Sequence, residues 1–393
     1  MEHLLAEALG VGEAILARRA GMQTSSEQAG LSEIGTTAVE VALVADPRQP
    51  PHRPAFLPAR DPFAEDVKLL GTALSSLLER DLEPEVEAEV RRVFTTPGKL
   101  LSQPGNEERG ELDMPRGIWA LICLNVARYC QPAARSELSV RIALVCDTFF
   151  AALDCLDDVE DQDDTPLRRE LGDARTCNLS TVLIALSHHW LLERDVAGLS
   201  VTLTYNLLTL LHRLLLRAAQ GQHMDILMEA IDNVTPEAAL SMTHTRSGTL
   251  GGLICQFPAL AVRARRLAED FGRFGEYMSV ALQMQDDIYD FTAGIAAPLT
   301  AMKSDVRKEK KTLPAVLTAH QLVYLRTSTH AHPDEERTDE LRRRAIADAV
   351  RATWGMAYYF RRQALLVARQ IEVKRAMPFP ATLQFLCGLD DVA

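Results

Sequence analysis

Asp154, Asp157, Asp158 and Asp161 stand at i, i+3, i+4 and i+7 in the segment FFAALDCLDDVEDQDD. On a helix that spacing stacks four carboxylates on one face over two turns. Seven acids fall within the eleven residues from Asp154 to Asp164. Like charges that close repel, so the segment needs a cation to neutralise it. Residues 142–153 before it are almost entirely apolar, which describes a buried helix ending in carboxylates and not a solvated tail. A second segment, ALQMQDDIYDF, repeats the layout with Gln283, Asp286, Asp287 and Asp290, again after an apolar stretch. Magnesium takes oxygen ligands, usually one or two carboxylates with waters and substrate phosphates. Two such helices facing each other across a cavity would let Mg²⁺ bridge protein and a polyphosphate. A lone DDxxD is more often surface charge; two of them, each ending an apolar helix, favour the metal site.

Long elements are needed to hold these clusters. The chain has 393 residues, 47% apolar and 24% charged, with 42 Lys+Arg against 54 Asp+Glu and a formal charge of -12. That balance excludes collagenous and wholly disordered chains. The excess of acid argues against nucleic acid as partner. Residues 1 to about 20 have the spacing of one amphipathic helix, and residues 46–62 hold six prolines, a density that ends any helix and marks a linker. From residue 62 onward, stretches of about 15 to 25 residues at helical period alternate with short breakers. The sequence therefore predicts an all-α domain over 62–393, preceded by an N-terminal appendage over 1–61. The seven cysteines are odd in number and include no CxxC, so a reducing, cytoplasmic setting is expected. No signal peptide is expected at MEHLLAEALG. The apolar stretch 199–219 carries Arg213 and Arg217 and reads as a buried helix, so no transmembrane segment is expected.

The pair DDVED and DDIYD resembles the two aspartate-rich motifs of the trans-isoprenyl diphosphate synthases, the polyprenyl synthetases. The resemblance covers roughly residues 90–320. In motif form it is closest to bacterial geranylgeranyl diphosphate synthases. Asp157, Asp158 and Asp163, followed by Arg168 and Arg169, fit the longer first motif, whereas Asp161 fits the shorter form. Gly221-Gln222 with Asp225 resembles the family's GQxxD, and Arg246-Ser247-Gly248 resembles its Lys-Thr-Gly. Gln283 matches the Gln before the second motif. Lys310 to Pro314 resembles the closing GKxTLP.

The resemblance implies an isoprenoid synthase helical bundle around a central cavity, and a homodimer. It implies about three Mg²⁺ on Asp157, Asp158, Asp161 or Asp163, Asp286, Asp287 and Asp290. It further implies that the metals hold an allylic diphosphate, that C–O cleavage leaves an allylic cation, and that isopentenyl diphosphate attacks it. Asp157, Asp158, Asp286, Asp287 and Arg246 would then be catalytic. Diphosphate needs cations, for which Arg116, Arg168, Arg169, Arg246, Lys303, Lys310 and Lys311 are candidates beside Gln222 and Gln283. Bulk below the first motif sets chain length in such enzymes. Ala152 and Leu153 leave that level open, and Phe149 and Phe150 could close it one turn deeper. This favours a product near geranylgeranyl diphosphate.

The pattern breaks at the family's GGKRxRP, which grips isopentenyl diphosphate. The expected counterpart is residues 111–117, where only Arg116 survives and Asp113 replaces the Lys. An acid there repels diphosphate. The loss opens two alternatives: a class I terpene synthase that cyclises one allylic diphosphate, and a non-catalytic partner subunit of an active synthase.

Overall fold

The computed structural model describes residues 2–22, 30–44, 62–103, 115–132, 137–193, 196, 198–296, 310–328 and 335–389. Among these residues there are helices and turns but no strands. The expected all-α bundle is found.

Four helices precede the first cluster: α1 (Glu2–Arg19), α2 (Glu33–Val44), α3 (Ala64–Asp81) and α4 (Pro84–Thr95). Then come α5 (Ile118–Cys130), α6 (Glu137–Glu160), α7 (Pro166–Leu192) and α8 (Val201–Glu229). After α9 (Pro236–Thr243) one π turn, His244–Gly248, leads into α10 (Thr249–Ala261). The bundle ends with α11 (Arg265–Ala296), α12 (Leu313–Ser328), α13 (Glu335–Arg375) and α14 (Ala381–Leu386).

The starts of several helices are written locally. Thr165, Ser200 and Thr235 accept from the backbone N–H three residues on, at 3.3, 3.3 and 3.2 Å, capping α7, α8 and α9. Pro166 and Pro236 follow two of these caps, where a missing N–H costs nothing. The core then follows from apolar content. α10 is buried nearly all round and packs against α5, α6, α8 and α11. It is the axis about which the two aspartate helices, α6 and α11, are arranged. α11 lies in turn against α13.

The N-terminal segment expected as an appendage shares this core. Ala8, Val11 and Ile15 of α1, with Ala38, Val39 and Ala42 of α2, are fully buried. Both helices pack on α13. Arg19 reaches the buried Asp348 at 2.9 Å, and the Tyr359 hydroxyl donates to Glu7 at 2.9 Å. The proline-rich stretch lies outside the described residues, apart from Pro62. The helix over 199–219 is also less buried than its composition predicts. α8 buries Leu203, Leu207, Leu210, Leu211 and Leu214 but leaves Val201, Tyr205 and Leu216 exposed. Among the described residues, no helix is long and apolar enough to cross a membrane.

Candidate active site

Asp157 and Asp158 lie in the last turn of α6, and Asp161 follows directly. The chain reverses at Gln162, which adopts φ 52°. Asp158 accepts from the Thr165 hydroxyl at 3.0 Å, so the residue that caps α7 also fixes the first cluster. The Asp163 N–H donates to the Asp158 carbonyl at 2.9 Å.

The π turn brings a cation to this cluster from the other side. Arg246 donates to Asp157 Oδ1 at 2.5 Å and to Asp225 Oδ2 at 2.7 Å. Gln222 donates to the same Asp157 oxygen at 3.0 Å. A single π turn inside an α-helix often marks a functional site, and here it displaces the backbone toward α8. Gly221 is required by that approach: a Cβ there would stand 2.5 Å from the Arg246 backbone nitrogen. Ser247 donates to Gln283 at 2.9 Å, and Gln283 donates to Asp287 at 2.9 Å. One polar network thus runs on both sides of the π turn, from the first cluster toward the second.

The electrostatics are those of a desolvated anionic site. Burial, with the neighbouring Asp161 and against the pull of Arg246, pushes Asp157 up to about 7. Burial pushes Asp287 up to about 7 and Asp158 up to about 6. Lys310, just ahead of α12, forms a buried ion pair with one Asp161 oxygen. The other, Oδ1, is buried without a hydrogen-bond partner, as is Gln222 Oε1. Buried orphan oxygens beside desolvated carboxylates form a hard-oxygen donor set, which fits Mg²⁺. Among the described residues the tightest carboxylate–imidazole group is instead Asp81, His189 and Glu193. It does not serve as the metal centre on this chemistry. Arg80 pairs with both acids, at 2.7 and 2.6 Å, and Arg141 also pairs with Glu193. Arg141 is sixteen residues before Asp157 on α6, about 24 Å along the helix.

The other expected residues divide. Arg168 and Arg169 engage the C-terminal end of the cluster and the start of α7. Arg168 holds Asp173 at 2.7 Å and the Asp163 carbonyl at 2.9 Å, and the exposed Arg169 pairs with Asp164 at 3.0 Å. Both brace the turn between α6 and α7. Lys311 is half-buried and lines a cavity of about 700 Å³ with Asp287, Asp290 and Lys310. Its apolar wall includes Val234, Phe291, Val316, Ala319 and Ile346, so it opens beside the second cluster and not along α6. Asp286 is half-buried. Lys303 and residues 111–114 lie outside the described residues.

On α6, Phe149, Phe150 and Ala152 are buried and Leu153 is half-buried. The Phe150 ring lies 4.9 Å from that of Trp119 on α5. Trp119 completes this wall and was not foreseen, although it directly follows Arg116-Gly117-Ile118.

A larger omission is Lys99. Its ammonium pairs with Asp154, one turn before Asp158. Arg116 donates to the carbonyl of Ser102, and the Gly117 N–H donates to the Gly98 carbonyl at 2.9 Å. Gly98-Lys99 and Arg116-Gly117 therefore meet at the two ends of the α4–α5 connection. Gly117 has φ 65°, and a Cβ there would stand 2.6 Å from Leu100 Cδ1. The counterpart of the GGKRxRP grip was placed wholly within 111–117. The described part of that segment, Arg116-Gly117, meets Gly98-Lys99 in the structure. The sequence signal is Pro97-Gly98-Lys99.

A family model described as polyprenyl synthetase matches residues 116–344. No curated protein matches the chain. Among solved structures, the chain is similar to a polyprenyl synthetase from Streptomyces coelicolor A3(2), at 22% identity and TM-score 0.60, over 84% of this chain and 98% of that one. It is similar to the heptaprenyl diphosphate synthase from Staphylococcus aureus, at 14% identity and TM-score 0.62, over 83% and 95%. A geranylgeranyl pyrophosphate synthase from Lactobacillus brevis aligns at 18% identity and TM-score 0.61, over 83% and 96%. At these identities the solved structures establish the shared fold.

Proposed function

Because the chain belongs to the polyprenyl synthetase family, a family of prenyltransferases, we propose that it is a Mg²⁺-dependent synthase joining an allylic diphosphate to isopentenyl diphosphate. The observation that carries this reading is that cations meet the α6 carboxylates at two levels along the helix, one turn apart. Arg246 and Lys310 meet Asp157 and Asp161, while Lys99 meets Asp154. Two diphosphates need two such levels; cyclisation of one substrate needs only the first.

Mg²⁺ held by Asp157, Asp158 and Asp161, with Asp286, Asp287 and Asp290, would supply Lewis-acid stabilisation of the departing diphosphate. Asp161 is preferred to Asp163, since it keeps a buried, unpartnered oxygen beside Asp157. Arg246 and Lys310 orient the allylic diphosphate, and Gln222 and Gln283 fix the rotamers of Asp157 and Asp287. Lys99 and Arg116 receive isopentenyl diphosphate. Trp119, Phe149 and Phe150 keep water from the allylic cation and stop the chain near C20.

We also infer a homodimer built on α8. Its exposed apolar side chains Val201, Tyr205 and Leu216 continue through Met224 and Leu227, with the exposed Arg213 at their edge. An apolar stripe can cover an identical one across a two-fold axis.

The test of function is incubation with Mg²⁺ and farnesyl diphosphate, with and without isopentenyl diphosphate. A longer diphosphate formed only when both are present is the expected result. A hydrocarbon or alcohol from farnesyl diphosphate alone would establish cyclisation instead, and no turnover of any allylic diphosphate would establish a non-catalytic subunit.

A further inference from the structure

Asp154 is an acid of the first cluster that the metal site does not use. It precedes Asp157 and Asp158 by one turn, and its carboxylate is engaged by Lys99. The partners are unequally placed: the Lys99 side chain is 23% exposed and that of Asp154 49%. The lysine is the more buried partner and the carboxylate the more exposed one. Burial alone would lower Lys99, yet the attraction of Asp154 raises it, so the amine stays charged. Asp158, whose carboxylate is held by the Thr165 hydroxyl, also acts on Lys99, as does a further acid, Asp147. It lies two turns further down α6, about 10 Å along the axis, and is buried with one oxygen unpartnered. Asp154 is therefore the carboxylate that a ligand arriving from solvent would meet at Lys99.

We propose that Asp154 is an internal competitor for isopentenyl diphosphate. Its carboxylate occupies the Lys99 ammonium and must be displaced before the second substrate binds. The proposal rests on the reading that Lys99 receives that diphosphate. A diphosphate carries more charge than a carboxylate, so it wins the ammonium. The displaced Asp154 remains nearby as an anion and repels the newcomer. Both effects weaken binding of the second substrate and leave the allylic side, at Arg246, untouched. A half-exposed ion pair is a weak competitor, so the effect is modest.

The experiment measures KM for each substrate and, by calorimetry without turnover, binding of isopentenyl diphosphate to the full-length protein. The variants are Asp154→Asn, Asp154→Leu, Lys99→Met and Lys99→Met/Asp154→Asn. In Asp154→Asn the KM and the dissociation constant for isopentenyl diphosphate should fall about three- to tenfold, equivalent to about 0.6 to 1.4 kcal/mol. KM for the allylic substrate should not move. The gain should disappear in the Lys99→Met background. An unchanged or weakened affinity in both Asp154 variants overturns the proposal and makes Asp154 a residue that orients Lys99. Unchanged affinity in Lys99→Met overturns the reading of Lys99 itself. Because calorimetry needs no turnover, tighter binding in Asp154→Asn supports the proposal even if condensation is not observed.

Discussion

The guanidinium of Arg246 stands 2.5 Å from Asp157 Oδ1 while its other nitrogen holds Asp225 at 2.7 Å. One planar fork thus ties the first aspartate helix to α8. Lys could reach one of these carboxylates but cannot span both with a fixed geometry. Arg246→Lys should lower kcat/KM for the allylic substrate by about ten- to a hundredfold, by analogy with the loss of groups that orient metal ligands. The isopentenyl KM should be unchanged. Steady-state kinetics with each substrate varied in turn checks this, and an equal rise in both KM values would contradict the assignment of separate cation levels.

The carboxylates at the α6 and α11 ends predict a pH dependence of metal binding. Burial pushes Asp157 and Asp287 up to about 7 and Asp158 up to about 6. Metal ligands must be deprotonated. Below those values Mg²⁺ has to expel protons, and above them it does not. The Mg²⁺ half-saturation concentration should fall steeply between pH 5.5 and 8, by about tenfold per pH unit for each carboxylate still protonated. The sign for stability is opposite in the metal-free protein. Acids raised on folding destabilise it as pH climbs from the unfolded value toward the folded one. The Tm gain on adding Mg²⁺ with diphosphate should therefore be larger at pH 8 than at pH 5.5. A pH-independent gain would remove these three residues from the metal site.

How far the sequence led depends on whether a signal was local. The two carboxylate stripes, Gln222, Arg246 and Gln283 each lie on one helix or one turn, and helical spacing alone sets which side chains share a face. Lys99 escaped because residues 100–115 separate it from Arg116, and the two ends are joined by non-local hydrogen bonds, Gly117 to Gly98 and Arg116 to Ser102. Arg168 and Arg169 look like substrate ligands in a linear motif, yet they stand among acids of their own turn and satisfy those first. The packing of α1 and α2 on α13 joins residues more than three hundred positions apart, such as Arg19 and Asp348. Nothing in the local pattern of either segment encodes that contact.

Gly221 allows the backbone of the π turn to approach α8. Gly221→Ala places a methyl 2.5 Å from the Arg246 nitrogen, against backbone and not against a movable side-chain end. Overpacking of that kind costs about 1 to 3 kcal/mol. A lower Tm should accompany a fall in activity at least as large as that of Arg246→Lys, because the whole turn must shift. A fully active, equally stable Gly221→Ala would show that the π turn is not needed at this position.

The wall below the first cluster predicts product length. Phe150 is buried against Trp119 at 4.9 Å, and Phe149 is fully buried beside it. Phe150→Leu trims the barrier without emptying it, whereas Phe150→Ala should cost about 3 to 5 kcal/mol. Extracted products analysed by chain length should shift upward in Phe150→Leu. An unchanged distribution would move the wall elsewhere, with the cavity beside Asp287 and Asp290 as the next place to probe.

The exposed face of α8 predicts assembly. Tyr205 and Leu216 are 69% and 62% exposed and eleven residues apart, three turns along one side of the helix. Large apolar side chains left open in such a row normally meet a partner. In a two-fold dimer each copy presents the same stripe, so one substitution acts twice. Leu216→Asp places two like charges at or near the axis, where they repel in a desolvated setting. Light scattering on size-exclusion peaks should find a dimer for the unaltered chain and a monomer for Leu216→Asp at micromolar concentration. Far-UV circular dichroism should match in both, since Leu216 faces away from the helix's own core. A dimer that survives Leu216→Asp would place the interface on a different surface.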